Sequence, residues 1–149
     1  MANEPAPQDA PRKAKVRWAG DMTFIGESPS GNSVVMDAGV ESGGNNMGVR
    51  PMEMLLLGMG GCASIDVIMI LKKARQNVLD CWVELDGERV DDHPRYFNKI
   101  HAKFFVKGTN IDAKHVERAI GLSMDKYCSA SAQMAGLAEI TTEFEILEG

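Results

Sequence analysis

The sequence lacks several features that mark nucleic-acid-binding, secreted and metal-binding proteins. Its 149 residues carry 16 basic and 21 acidic side chains, a formal net charge of −5, whereas a nucleic-acid-binding domain normally carries a basic patch. The N-terminal residues contain no apolar stretch typical of a secretory signal peptide, so we expect a cytoplasmic protein. The acidic net charge leads us to expect no nucleic-acid partner. The three cysteines and three histidines show no short finger-like spacing, so we expect no metal site.

The longest apolar stretch is RPMEMLLLGMGGCASIDVIMILKKARQ, residues 50–76. Pro51 suits the first position of a helix, and Glu53 suits the positive end of the helix dipole. The stretch predicts one long helix without a polar side, which other parts of the fold must therefore surround. A membrane span is the alternative by length. Because Asp66 near its centre would be costly in lipid, we expect no membrane partner.

The remaining residues alternate apolar and polar side chains in short runs, which predicts an α+β fold. Residues 1–13 contain three prolines and no large apolar residue, so they predict a disordered tail before a single domain of residues 14–149. The predicted strands are residues 15–18, 22–25, 33–36, 80–90, 98–107 and 139–147, and the further helices are residues 113–126 and a short one that ends at Gly136.

Two cysteines lie among small residues that leave space for another atom to approach the sulfur. Cys62 is in Gly-Gly-Cys-Ala-Ser, and Cys128 is in Tyr-Cys-Ser-Ala-Ser. The thiolate is the reactive form, and a helix N-terminus or a nearby cation favours it. Cys128 begins a predicted short helix, whereas Cys62 needs a cation from elsewhere in the fold or is an inert buried thiol. Cys81 alternates with Val83 and Leu85, so we expect it to be a packing residue.

Three segments together resemble the OsmC/Ohr family, in particular its YhfA-like branch. They are RPMEMLLLGMGGCASIDVIMILKKAR, HPRYFNKIHAKFFVKG and LSMDKYCSASA. The resemblance covers roughly residues 15–147. It implies an OsmC-like α+β fold, in which antiparallel sheets wrap around a long central helix in an intertwined homodimer.

The resemblance also implies a function, that of a cysteine-based, peroxiredoxin-like peroxidase in oxidative-stress defence. By resemblance, Cys62 is the peroxidatic residue that attacks an organic hydroperoxide and becomes a sulfenic acid. Cys128 is then the resolving residue, which condenses with the sulfenic acid to form a disulfide. A dithiol reductant restores the pair, and the cycle needs no metal and no organic cofactor.

The family's active-site arginine and glutamate have no matched positions here. The family glutamate directly follows the helix-opening proline, whereas Met52 follows Pro51 in this chain and Glu53 comes one place later. Glu53 then faces away from Cys62 and is better suited to satisfy the helix N-terminus. Two alternatives therefore remain open. One is a diverged thiol-redox protein without efficient peroxidase turnover, and the other is a non-catalytic binder of hydrophobic ligands.

Overall fold

The structure, a computed structural model, describes residues 13–149 of the chain. The chain divides into two compact units, of which the first ends at Met54 and the second covers Leu55–Gly149. Apart from residue 13, the predicted disordered tail lies outside the described residues. The single domain expected for residues 14–149 stays a prediction.

The elements follow the order expected from the sequence, with boundaries that differ by a few residues. They are β1 (Lys15–Trp18), β2 (Phe24–Glu27), β3 (Ser33–Met36), a 3-10 turn (Val40–Ser42), α1 (Pro51–Lys73), β4 (Asn77–Arg89), β5 (Phe97–Thr109), α2 (Ala113–Leu122), a π-helical turn (Ser123–Tyr127), α3 (Ser129–Met134) and β6 (Glu139–Glu148). The largest difference follows α2, because the predicted α-helix of residues 113–126 changes to a π-helical turn at Ser123.

In the first unit, β1, β2 and β3 form an antiparallel sheet, and a loop organised by Asp37 leads to α1. The buried carboxylate of Asp37 accepts hydrogen bonds from the backbone N–H groups of Ala38, Asn45 and Met47, at 2.8, 3.2 and 3.1 Å. These bonds satisfy backbone donors that the loop leaves without a sheet partner.

The start of α1 confirms the role expected for Glu53. The Glu53 Oε1 atom accepts a hydrogen bond from the backbone N–H of Arg50 at 3.0 Å, which is the reciprocal half of a capping box. The Arg50 side chain is also held locally, because its Nη1 donates to Asn46 Oδ1 at 3.0 Å and to Gly48 O at 3.1 Å. Arg50 and Glu53 therefore both have structural partners within the first unit.

In the second unit, β4 and β5 form a long antiparallel hairpin, and β6 pairs with β5 in parallel. The prediction of antiparallel sheets is therefore wrong at this one pair. The parallel pairing brings Lys103 of β5 near two acidic residues of β6, with Nζ at 3.6 Å from Glu143 and 3.5 Å from Glu145. These contacts line the polar face that the alternation of β5 predicts.

The core of the second unit lies between the apolar face of β5 and one side of α1 and α2. The strand contributes Ile100, Ala102, Phe104 and Val106, and the helices contribute Met59, Ala63, Val67, Leu71, Val116, Ala119 and Ile120, all of them buried. In α1 the buried residues recur every four positions, as expected for one face of a helix. This packing fixes α1, and with it Cys62, against the sheet.

The opposite side of α1 stays exposed within one chain. Leu55, Leu57, Ile65 and Met69 are 46%, 55%, 64% and 52% exposed, although the sequence predicts a helix that is surrounded on all sides. By length and composition alone, α1 also meets the criteria for a membrane-crossing helix. An apolar helix face of this size is a surface that normally contacts another molecule.

Candidate functional site

The fold brings Cys62, Asp66 and Cys128 together in the second unit. Cys62 and Asp66 lie one helical turn apart on α1 and therefore share a face, while Cys128 is the N-cap residue of α3. The two sulfur atoms and a carboxylate oxygen of Asp66 all lie within 4.8 Å of one another. Cys62 and Asp66 are half-buried, and Cys128 is 3% exposed. The two predicted site cysteines are thus neighbours, and their catalytic role stays a prediction.

The π-helical turn after α2 places both Ser123 and Cys128 at this site. The backbone N–H of Cys128 donates to Ser123 O at 2.7 Å and closes the wide turn. The buried Ser123 Oγ donates a hydrogen bond to Asp66 Oδ2 at 2.9 Å, which fixes one oxygen of the carboxylate. Single π-helical turns are rare and occur frequently at functional sites, so this turn is a structural signature of the site.

The surroundings of Cys128 act on the pKa of its thiol in opposite directions, and the net effect is upward. Burial raises the pKa of the Cys128 thiol above its ordinary value of 9.0; hydrogen bonds from Ser131 oppose this shift, and the neighbouring Cys62 adds to it. The Ser131 backbone N–H donates to Cys128 Sγ at 3.3 Å, and the thiol donates a long contact to Met59 O at 4.0 Å. The backbone N–H at the start of this six-residue helix lowers the pKa of Cys128, as expected, but burial has the larger effect and the net shift is upward.

Cys81 lies on β4, outside this cluster, and pairs with Val106 of β5 in the sheet register. The sequence predicts that Cys81 is a packing residue, and its side chain is half-buried, so this prediction is confirmed only in part. Burial raises the pKa of the Cys81 thiol, and the adjacent Asp80 carboxylate raises it further. Cys81 is therefore a suitable internal control for experiments on the other two cysteines.

A cleft of about 470 Å³ opens beside the cysteine cluster, and Asp66 forms part of its wall. The cleft is lined by both apolar and basic side chains. The apolar ones are Met69, Ile70, Leu122 and Tyr127, and the basic ones are Lys73, His115 and Arg118. Such a lining suits an organic molecule with a polar or anionic group. The cleft itself could not be predicted from the sequence, because α1 and α2 meet only in the folded chain.

The same cluster brings together donor atoms of the types that bind metal ions, namely two thiols and one carboxylate. A search for short cysteine and histidine spacings misses this set, because one ligand is an aspartate and Cys128 lies 66 positions after Cys62. The bond between Ser123 and Asp66 joins residues 57 positions apart and leaves no sequence signal. Only the four-residue spacing of Cys62 and Asp66 is visible in the sequence itself.

Comparisons with known proteins identify the family. The model of the OsmC-like protein family matches residues 43–143. Protein YhfA of Escherichia coli K12 is 42% identical over 135 residues, which cover 91% of this chain and 98% of YhfA. This chain belongs to the OsmC-like family. The resemblance inferred from the sequence is confirmed.

Two solved structures share the α+β fold of this chain. A hypothetical protein from Aquifex aeolicus VF5 matches with a TM-score of 0.81 and 29% identity, over 93% of this chain and 97% of that protein. An organic hydroperoxide resistance protein OsmC from Legionella pneumophila matches with a TM-score of 0.66 and 12% identity, over 93% and 99% of the two chains. At 12% identity the Legionella structure demonstrates a common fold only.

Proposed function

We propose that this OsmC-like protein is a thiol-dependent peroxidase that reduces organic hydroperoxides through a Cys62–Cys128 redox pair in oxidative-stress defence. The observation that carries the proposal is the approach of the two sulfur atoms to within 4.8 Å, although the residues are 66 positions apart. Membership of the OsmC-like family supports a peroxide-related redox role. The hydroperoxide-resistance name of the Legionella relative points in the same direction.

In the first step of the proposed cycle, the Cys62 thiolate attacks the outer oxygen of the hydroperoxide. The O–O bond breaks, the OH group is transferred to sulfur, and Cys62 becomes a sulfenic acid. The alkoxide takes up the proton that the Cys62 thiol released on ionisation and leaves as an alcohol. Cys62 suits this role better than Cys128, because it is half-buried whereas Cys128 is almost fully buried. The cleft beside Asp66 offers space and apolar contacts for the organic part of the substrate.

In the second step, Cys128 attacks the sulfur of the sulfenic acid. A disulfide forms between the two sulfur atoms. The hydroxyl group of the Cys62 sulfenic acid combines with the thiol proton of Cys128 and leaves as water. The contact of Cys128 with Ser131 fixes its sulfur in place for this attack. A small dithiol then exchanges with the disulfide and returns both cysteines to the thiol form. This cycle uses no metal and no organic cofactor, and we place it in the cytoplasm, where thiols are kept reduced.

The proposal includes a homodimer, with the exposed side of α1 as the contact surface. Leu55, Leu57, Ile65 and Met69 expose about half or more of their surface on this side. Burial of apolar surface is the dominant favourable term in most protein association. Size-exclusion chromatography with light scattering should give about twice the chain mass of 16.2 kDa at micromolar protein. A mass of one chain would contradict the dimer.

The proposed cycle is tested by treating the reduced protein with one equivalent of an organic hydroperoxide and mapping its cysteines by mass spectrometry. We expect an intrachain disulfide between Cys62 and Cys128 in the wild type. In Cys128→Ser we expect a sulfenic acid at Cys62 that a dimedone-type reagent captures. A disulfide that involves Cys81, or a reduced Cys62 after treatment, would contradict the cycle.

A diverged thiol-redox protein with slow peroxidase turnover is the second candidate. The observation in its favour is that the family's arginine and glutamate have no matched positions in this chain, while Arg50 and Glu53 are bonded to groups of their own loop and helix start. Under this alternative the disulfide still forms, but its formation is slow. The rate of formation therefore separates the two candidates.

A further inference from the structure

We propose that Cys62, Asp66 and Cys128 also bind a thiophilic divalent metal ion of the zinc class when both thiols are reduced. The two sulfur atoms and the carboxylate oxygen are the ligand types that Zn²⁺ prefers, together with histidine nitrogen. This inference does not rest on the proposed peroxidase function, because coordination requires only the reduced cluster. It adds a ligand that would keep both cysteines from forming a disulfide.

The backbone arrangement suits a three-ligand site. Cys62 and Asp66 are four residues apart on α1, the spacing at which two side chains of a helix can chelate one ion. Cys128 approaches from a separate element, the start of α3. Two ligands from one helix and a third from elsewhere leave the fourth tetrahedral position for water or another small ligand, as in open zinc sites.

The distances require little movement. All three donor atoms already lie within 4.8 Å of one another. In a tetrahedral site with Zn–S of about 2.3 Å and Zn–O of about 2.1 Å, sulfur atoms are about 3.8 Å apart and sulfur and oxygen about 3.6 Å apart. Rotations of the Cys62 and Asp66 side chains, both half-buried, can close the remaining difference of at most about 1 Å.

Neighbouring hydrogen bonds orient two of the three ligands. Ser123 Oγ donates to Asp66 Oδ2 at 2.9 Å, which holds the carboxylate in place beside the two sulfur atoms. The backbone N–H of Ser131 donates to Cys128 Sγ at 3.3 Å, a contact that also stabilises a metal-bound thiolate. Such outer partners fix ligand orientation and raise the affinity of metal sites.

The charges around the site favour the complex. Two thiolates and one carboxylate around a divalent ion give a net charge of −1. Lys73, His115 and Arg118 line the same cleft as Asp66, and their basic groups can offset this charge. The cleft also gives the ion a path to Asp66, which lines it.

Cobalt(II) provides the direct test, because thiolate ligands give it a charge-transfer band and tetrahedral geometry gives it intense visible bands. We expect reduced, full-length protein under argon to bind one Co²⁺ per chain with both signatures, and Zn²⁺ to displace it. Cys81→Ser should behave as wild type. Cys62→Ser and Cys128→Ser should each lose the two-thiolate spectrum. Asp66→Asn removes a direct ligand and should bind at least about 10-fold more weakly, the smallest loss typical of a partner that only supports a ligand.

A second measurement needs no variant and covers the case in which a substitution prevents folding. Zn²⁺ should slow the alkylation of Cys62 and Cys128 in the reduced wild type, while the rate at Cys81 stays unchanged. Equal rates with and without Zn²⁺, equal protection of Cys81, or a cobalt spectrum that persists in both Cys62→Ser and Cys128→Ser would overturn the proposed site. None of these readouts involves peroxide, so a failed peroxidase cycle and a failed metal site give different results.

Discussion

Gly60 allows α1 to approach the sheet that positions Cys62, and its replacement by alanine tests this contact. A Cβ atom at Gly60 would lie 2.5 Å from Leu85 Cδ1 and 3.2 Å from Val83 Cγ1. Leu85 Cδ1 is the end of a flexible side chain, so we expect adjustment at the usual overpacking cost of about 1–3 kcal/mol. Alanine also has a higher helix propensity than glycine, which should stabilise the folded variant by about 1 kcal/mol. The net expectation is a loss of about 1 kcal/mol in the free energy of unfolding.

Gly121→Ala is the matched control, because Gly121 lies in α2 and a Cβ atom there meets nothing within 4 Å. Alanine should stabilise the protein at this position by up to about 1 kcal/mol. Urea unfolding followed by circular dichroism, at one fixed protein concentration, should therefore separate the two variants by about 2 kcal/mol. If Gly60→Ala were as stabilising as Gly121→Ala, the close contact of α1 with β4 would be refuted.

Two further predictions concern the site residues. Ser123→Ala should lower the free energy of unfolding by about 1–3 kcal/mol, because it removes the buried hydroxyl that donates to Asp66. Ser129→Ala, on the exposed side of α3, should change this free energy by less than about 0.5 kcal/mol. If urea unfolding showed the same loss for both variants, the role of Ser123 would be contradicted. The raised pKa of the buried Cys128 thiol means that the folded state holds its proton more tightly than the unfolded state, so stability should fall as the pH rises above the ordinary value of 9.0. Because Cys81 has a raised pKa as well, the fall should be smaller in Cys128→Ser but not absent, and an identical pH dependence would contradict the assignment.

Much of the fold could be predicted from the sequence because local patterns decide its elements. The strands β1 and β3 begin and end where the apolar alternation predicts, and Pro51 marks the start of α1. The direction of β6 could not be predicted, because alternation fixes which face of a strand is buried and not the direction of its neighbour. The parallel pairing of β6 with β5 arises from the path of the chain through α2 and α3.

The candidate site was predictable only in part. Cys62 and Cys128 were identified by their small neighbours and by the resemblance to a family, and the fold brings them together. The contact between Ser123 and Asp66 depends on the π-helical turn. The apolar stripe of α2 does not indicate that the helix widens into such a turn after Leu122. The chemical state of Cys128 was also missed, because a helix start and burial act on its pKa in opposite directions and only the packing determines which effect is larger.

The central claim is that Cys62 performs the peroxidase chemistry, and the consumption of an organic hydroperoxide in the presence of a small dithiol tests it most directly. Wild type and Cys81→Ser should consume hydroperoxide at the same rate. Cys62→Ser should show no consumption above the rate without protein, and Cys128→Ser should react once and then lose activity as Cys62 over-oxidises. Consumption by Cys62→Ser at the wild-type rate would contradict the account.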